Sequence, residues 1–72
     1  MFNPLEKLGY ELGFNKKGVH IFETRKPDYN YIQFYEERNT YRVIIGGSVD
    51  IYVAKAIVDI LEELNNVLHK RN

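Results

Sequence analysis

The stretch YNYIQFY, Tyr29 to Tyr35, places four aromatic rings and one isoleucine in seven residues. Side chains on a β-strand alternate between its two faces, so the heptapeptide divides into two sets. Ile32 and Phe34 share one face with Asn30 and Glu36; Tyr29, Tyr31, Gln33 and Tyr35 share the other. Ile32 and Phe34 are the better candidates for a core beneath helices. The tyrosines then occupy the opposite face of the sheet.

The flanking residues extend this reading. Lys26-Pro27-Asp28 breaks the chain before the strand, because proline cannot donate to a ladder and Pro-Asp is turn chemistry. Arg38-Asn39 makes a tight turn after a strand running from Tyr29 to Glu37. Thr40 to Ile45 reads as the next strand. It turns Val43 and Ile45 toward the core, with Tyr41 at its start, and Arg42 and Ile44 toward the tyrosine face. Upstream, Val19 to Arg25 has the β-branched and aromatic content of a strand. Its faces stay open, with Val19 and Ile21 alternating against His20, Phe22 and Thr24. Asn15-Lys16-Lys17-Gly18 is a polar turn, and the short connections imply an antiparallel meander.

Helices are expected at both ends. Asn3-Pro4-Leu5-Glu6 carries a capping residue, a proline suited to the first turn and an acid three residues after the cap. Leu5, Leu8 and Leu12 follow at helical spacing. Gly9 either weakens the middle of a helix that runs to Leu12 or ends a shorter one at Leu8, leaving Tyr10, Leu12 and Phe14 to alternate like a strand. The longer helix, terminated by Gly13, is preferred. Gly46-Gly47-Ser48 ends the sheet and reverses the chain. Ser48 or Asp50 can cap a last helix from about Val49 to His69, with Lys70-Arg71 suiting its dipole. The expected fold is a single α+β domain over residues 1–72. It has two layers in the order α-β-β-β-α, a three-stranded antiparallel sheet, and both helices on one face.

Composition restricts function more than it reveals it. A 72-residue chain buries only about 60% of its extended surface on folding, so its core is marginal. The chain has no cysteine, which excludes disulfides and thiolate metal sites. A second chain is the remaining staple, so a homodimer is expected. Ten basic residues balance ten acidic ones, without the electrostatic footprint of a nucleic-acid binder. Neither a membrane-spanning apolar run nor a signal-peptide pattern is present, so the expectation is a soluble cytoplasmic protein. The single serine, the separated His20 and His69, and the adjacent pairs Glu36-Glu37 and Glu62-Glu63 form no catalytic constellation. No metal-ligand spacing occurs, and no cofactor is expected.

Two surfaces remain for binding. The tyrosine face carries Tyr29, Tyr31, Gln33, Tyr35, Arg42 and Ile44. It reads either as cross-strand packing on a wet sheet face or as a contact platform, since tyrosine is enriched at interfaces. In the last helix Ile51, Ala54, Val58, Leu61, Asn65 and Leu68 form one stripe. Val53, Ala56, Ile57, Ile60, Leu64 and Val67 widen it to about half the circumference, beyond the ~100° that a surface helix needs. Packing against both the sheet and the first helix would use this width; otherwise a band around Val53, Ile60 and Val67 is left for a second chain.

Two families offer resemblances. Asn3-Pro4-Leu5-Glu6-Lys7-Leu8, Lys26-Pro27-Asp28-Tyr29 and Val53-Ala54-Lys55 resemble the first helix, the Gly-Pro-Asp-His loop and the last-helix start of the double-stranded-RNA-binding domain. That likeness implies duplex-RNA binding through Lys16, Lys17, Arg25, Lys26 and Lys55. The family's paired phosphate-gripping lysines are here Val49-Asp50, and its loop histidine is Tyr29. The chain is also similar to small cysteine-free proteins of phages and prophages of Gram-positive bacteria. The likeness lies in the opening Leu5 to Tyr10 and in the closing helix with its Glu-Leu pair within Leu61 to Leu64. It implies a non-enzymatic interaction module that binds itself or a host protein. Nucleic acid is the less favoured partner.

Overall fold

A computed structural model describes residues 1–25 and 27–70 of the chain. The fold is α+β, with elements in the order α1 (Asn3–Glu6), β1 (Glu11–Lys16), β2 (Val19–Thr24), β3 (Asn30–Glu37), β4 (Thr40–Gly46) and α2 (Ile51–His69). The strands form one antiparallel meander in the order β1-β2-β3-β4. The sheet therefore has four strands rather than the expected three, and the element order is α-β-β-β-β-α.

The added strand follows from how α1 ends. The preferred helix to Leu12 does not form. Gly9 takes a φ of +92°, the left-handed conformation that glycine adopts without steric cost. Around it Gly9 N–H donates to Glu6 O and Tyr10 N–H donates to Leu5 O, both at 3.1 Å. This is the bond pair of a Schellman motif, and Leu5 and Tyr10, its accompanying apolar contact, are both buried. The helix stops after little more than one turn, leaving Leu8 exposed. At the other end Phe2, rather than Asn3, occupies the cap position.

β1 pairs with β2 through a bulge at Gly13: Leu12 faces Phe22, yet Phe14 faces Ile21. The extra residue reverses the alternation. Leu12 packs against the core while Phe14 points to the other side of the sheet. Between β3 and β4, Arg38 and Asn39 both have positive φ, at 54° and 62°, as a two-residue type I′ hairpin requires.

One face of the sheet carries the core. Phe22, Ile32 and Phe34 are fully buried there with Leu5 of α1 and Ile60 of α2. The open assignment of the Val19–Thr24 strand is thereby decided: Phe22 points inward, and Val19 and Ile21 point outward. The Phe22 and Phe34 rings meet edge-on at 5.9 Å, and Phe2 packs on Phe22 at 5.0 Å. Such contacts add about 0.5–1.5 kcal/mol each beyond the area they bury. Tyr41 and Val43 pack at the margin, but Ile45, expected in the core, is 40% exposed at the sheet edge.

α2 lies on the same side as α1. Asp50 caps it, its Oδ1 accepting from Val53 N–H at 2.9 Å. The buried stripe is Val53, Ala56, Ile57, Ile60 and Leu64. Of the alternative band around Val53, Ile60 and Val67, Val53 and Ile60 are therefore core and Val67 is exposed; the other apolar residues α2 leaves outside are Ile51, Tyr52 and Val58. Asn65 joins this helix to β4, its Oδ1 accepting from Tyr41 N–H at 2.8 Å and Thr40 Oγ1 at 3.3 Å. Arg71, expected to suit the helix dipole, lies outside the described residues.

Candidate binding face

The side of the sheet opposite the helices is built from residues that alternate with the core. Register places Glu11, Glu23, Tyr31 and Gly46 in one row. Phe14, Ile21, Gln33 and Ile44 form the next, and Lys16, Val19, Tyr35 and Arg42 the third. The strand that supplies Ile32 and Phe34 to the core thus supplies Tyr31, Gln33 and Tyr35 to the open face.

The expected site residues come together. Gln33 pairs with Ile44 and Tyr35 with Arg42. Tyr29 precedes β3, is exposed, and sets its ring 6.3 Å from that of Tyr31. Arg25 lies over the Tyr29 ring, Cζ to centroid 5.3 Å, and pairs with Glu23 at 3.8 Å. Local desolvation, and then the neighbouring Glu23 carboxylate, push the Tyr29 hydroxyl pKa upward. Arg42 Nε approaches Glu37 at 3.4 Å. Arg25, Glu37 and Arg42 are exposed and Glu23 is partly covered, and ion pairs of that kind contribute about 0–1 kcal/mol.

Tyr31 has a place made for it. Gly46 stands opposite it on β4, and a Cβ at Gly46 would overlap the Tyr31 ring. The ring lies across the bare backbone, an aromatic covering a glycine near a sheet edge.

Sequence reading missed half of this face. Phe14 is 40% exposed in the central row, and Lys16 rests over its ring at 5.5 Å. Ile21 stands between Phe14 and Gln33. The signal was present in the alternative reading of Tyr10 to Phe14 as a strand, but simple alternation would have put Phe14 with Leu12.

The cations of the duplex-RNA reading are dispersed. Lys16 and Lys17 lie at the β1–β2 turn, Arg25 follows the opposite end of β2, and Lys55 is on the exposed side of α2. Lys26 is outside the described residues. His20, on the helix side, is half-buried. Its Nδ1 lies 2.6 Å from Asn15 Oδ1, and its ring packs between Phe2 at 4.9 Å and Tyr41 at 6.1 Å. Burial holds its pKa below the usual histidine value. Among the described residues no three His, Asp or Glu side chains gather as a metal site would need. No helix among them is long and apolar enough to cross a membrane.

Compared with protein-family models, with curated proteins and with solved structures, the chain finds no match.

Proposed function

We propose that the chain is a non-enzymatic interaction module that docks a protein partner on the open face of its sheet. One observation carries this reading. Phe14, Ile21, Tyr31, Tyr35 and Ile44 lie side by side on a face with no second layer among the described residues. The water-facing side of an antiparallel sheet ordinarily presents polar side chains. Tyrosine and arginine are the residues that most often anchor interfaces, and Arg42 adjoins Tyr35 here. The likeness to small phage-encoded chains supports a host protein as that partner.

The test begins with a photo-crosslinking amino acid in place of Gln33, at the centre of the face. The partner it traps is purified and titrated with the native chain and with Tyr31→Ser/Tyr35→Ser. Loss of two anchors weakens binding by roughly 30-fold or more. Equal affinity for both chains would reject the reading. So would a low-salt titration in which duplex RNA, rather than the trapped protein, shifts the open-face amides.

A further inference from the structure

The two edges of the sheet are built differently. β1 carries a bulge, with Glu11 and Lys16 on its open face, and such devices discourage a further strand from pairing. β4 pairs with β3 through seven residue pairs without a break, and its free edge runs through Val43-Ile44-Ile45. Among the described residues this edge has neither a bulge nor a proline, and its one charge is Arg42.

The hairpin fixes which groups of β4 face outward. A two-residue turn makes Glu37 and Thr40 a hydrogen-bonded pair. Thr40, Arg42, Ile44 and Gly46 therefore direct their backbone to β3, and Tyr41, Val43 and Ile45 direct theirs away. The bond from Tyr41 N–H to Asn65 of α2 agrees with this direction and closes that end of the edge. Val43 and Ile45 remain.

We infer that β4 pairs antiparallel with β4 of a second copy about a two-fold axis at Ile44, extending the sheet to eight strands. The pairing is made by backbone groups of the sheet edge and shares the side chains Ile44, Arg42 and Tyr31 with the docking face; crosslinking through Ile44→Cys tests it apart from the docking reading. The register follows from the free groups: pairing Val43 with Ile45 of the second copy uses both outward residues twice and leaves Asn65 on Tyr41. A shift that centres the axis on Val43 would require Tyr41 and displace that bond.

The side chains fit the same axis. On the open face Ile44 meets its own copy, and Arg42 stands opposite Gly46 of the second copy. There the Tyr31 ring covers the bare backbone, offering a cation–π seat for the guanidinium. On the helix face Val43 meets Ile45. Asn65 is beside Tyr41, and Ile44 lies about 10 Å further along the strand. About seven residues of α2 cover that distance, so Val58 is roughly level with the axis. Val58 and Ile51 are exposed on that flank. Lys55 of one copy comes level with Glu62 of the other, an opposite-charge match repeated by symmetry. The pairing is isologous, so it consumes both free β4 edges, leaves the bulged β1 strands outside, and closes at two.

Light scattering after size exclusion, from micromolar to millimolar chain, measures the assembly. Twice the 8.5 kDa chain mass is expected, with Ile44→Lys roughly 100-fold weaker in self-association because it sets like charges on the axis. Ile44 is exposed, and far-UV circular dichroism verifies that the variant folds. Ile44→Cys gives a second readout, since the chain has no other cysteine. Paired positions of this type lie about 4.5 Å apart at Cα, within disulfide reach. Mild oxidation then links Ile44→Cys efficiently and Gln33→Cys, one strand inward, poorly. A monomer throughout, a dimer indifferent to Ile44→Lys, or crosslinking through Gln33→Cys alone would overturn the inference.

Discussion

Asn65 accepts the outward N–H of Tyr41 at 2.8 Å and donates from Nδ2 to Leu61 O in its own helix at 3.0 Å. One side chain thus ties the last turns of α2 to the start of β4 and satisfies a backbone donor that no strand reaches. Asn65→Leu keeps the branched shape and removes the acceptor. It is expected to lower stability by about 1–3 kcal/mol through the stranded Tyr41 N–H. Urea denaturation with an unchanged m-value is the measure. A shift below about 0.5 kcal/mol would show that water replaces the amide freely.

The β3–β4 turn holds Arg38 and Asn39 at positive φ, where a residue with a Cβ is strained by about 1–2 kcal/mol. The double substitution Arg38→Asn/Asn39→Gly supplies the Asn-Gly pair that this turn type prefers. It should raise stability by about 0.5–1 kcal/mol, read as a higher denaturation midpoint. A decrease would mean that the Arg38 side chain makes a contact worth more than the strain.

Gly46 and Tyr31 should behave as a coupled pair. Gly46→Val places a side chain where the ring lies, and overpacking of this type costs about 1–3 kcal/mol. In Tyr31→Ala the same valine has room and a β-branched gain. A double-mutant cycle should therefore give a coupling energy of about 1 kcal/mol or more. Additive effects would show that the ring moves aside without loss.

His20 predicts a pH dependence. Its folded-state pKa lies below the ordinary value because burial disfavours the imidazolium. The unfolded chain then binds more protons between the two values, so stability rises with pH in that window. The contribution is complete above about 6.5, the unfolded value, and is lost as pH falls toward the folded pKa. Melting temperatures between about pH 7.5 and 5.5, which bracket the unfolded value, should fall with acid for the native chain and respond less in His20→Gln. Parallel curves would assign the slope to other groups.

Much of the architecture was legible in short-range pattern. Alternation over Tyr29 to Tyr35 separated Ile32 and Phe34 from the tyrosines correctly, and Arg38-Asn39 marked the hairpin. Asp50 marked the start of α2, and of the band around Val53, Ile60 and Val67 the helix buries Val53 and Ile60 and leaves Val67 exposed. The N-terminal third misled because Leu5, Leu8 and Leu12 fit a helix as well as they fit the actual structure. What decides between them is the ladder with β2, a long-range pairing that spacing along the chain does not record. The same gap hid Phe14 from the site. Ile21 was missed for a different reason: its strand was expected, but its two faces were left open, and only the pairing with β3 decides between them.

The bulge at Gly13 has a consequence for how this chain tolerates changes of length. It acts as a phase shifter: upstream of it odd-numbered residues such as Glu11 look outward, and downstream even-numbered ones such as Phe14 do. Deleting one residue on either side of the β1–β2 turn would leave that phase to be reset by the turn, which contains flexible Gly18. Deleting Gly13 itself would make Leu12 and Phe14 neighbours in an unbroken rhythm, so Leu12 would still face the core and Phe14 would still look outward. The residue of β1 whose loss leaves every side chain on its present face is therefore the one that interrupts the pairing.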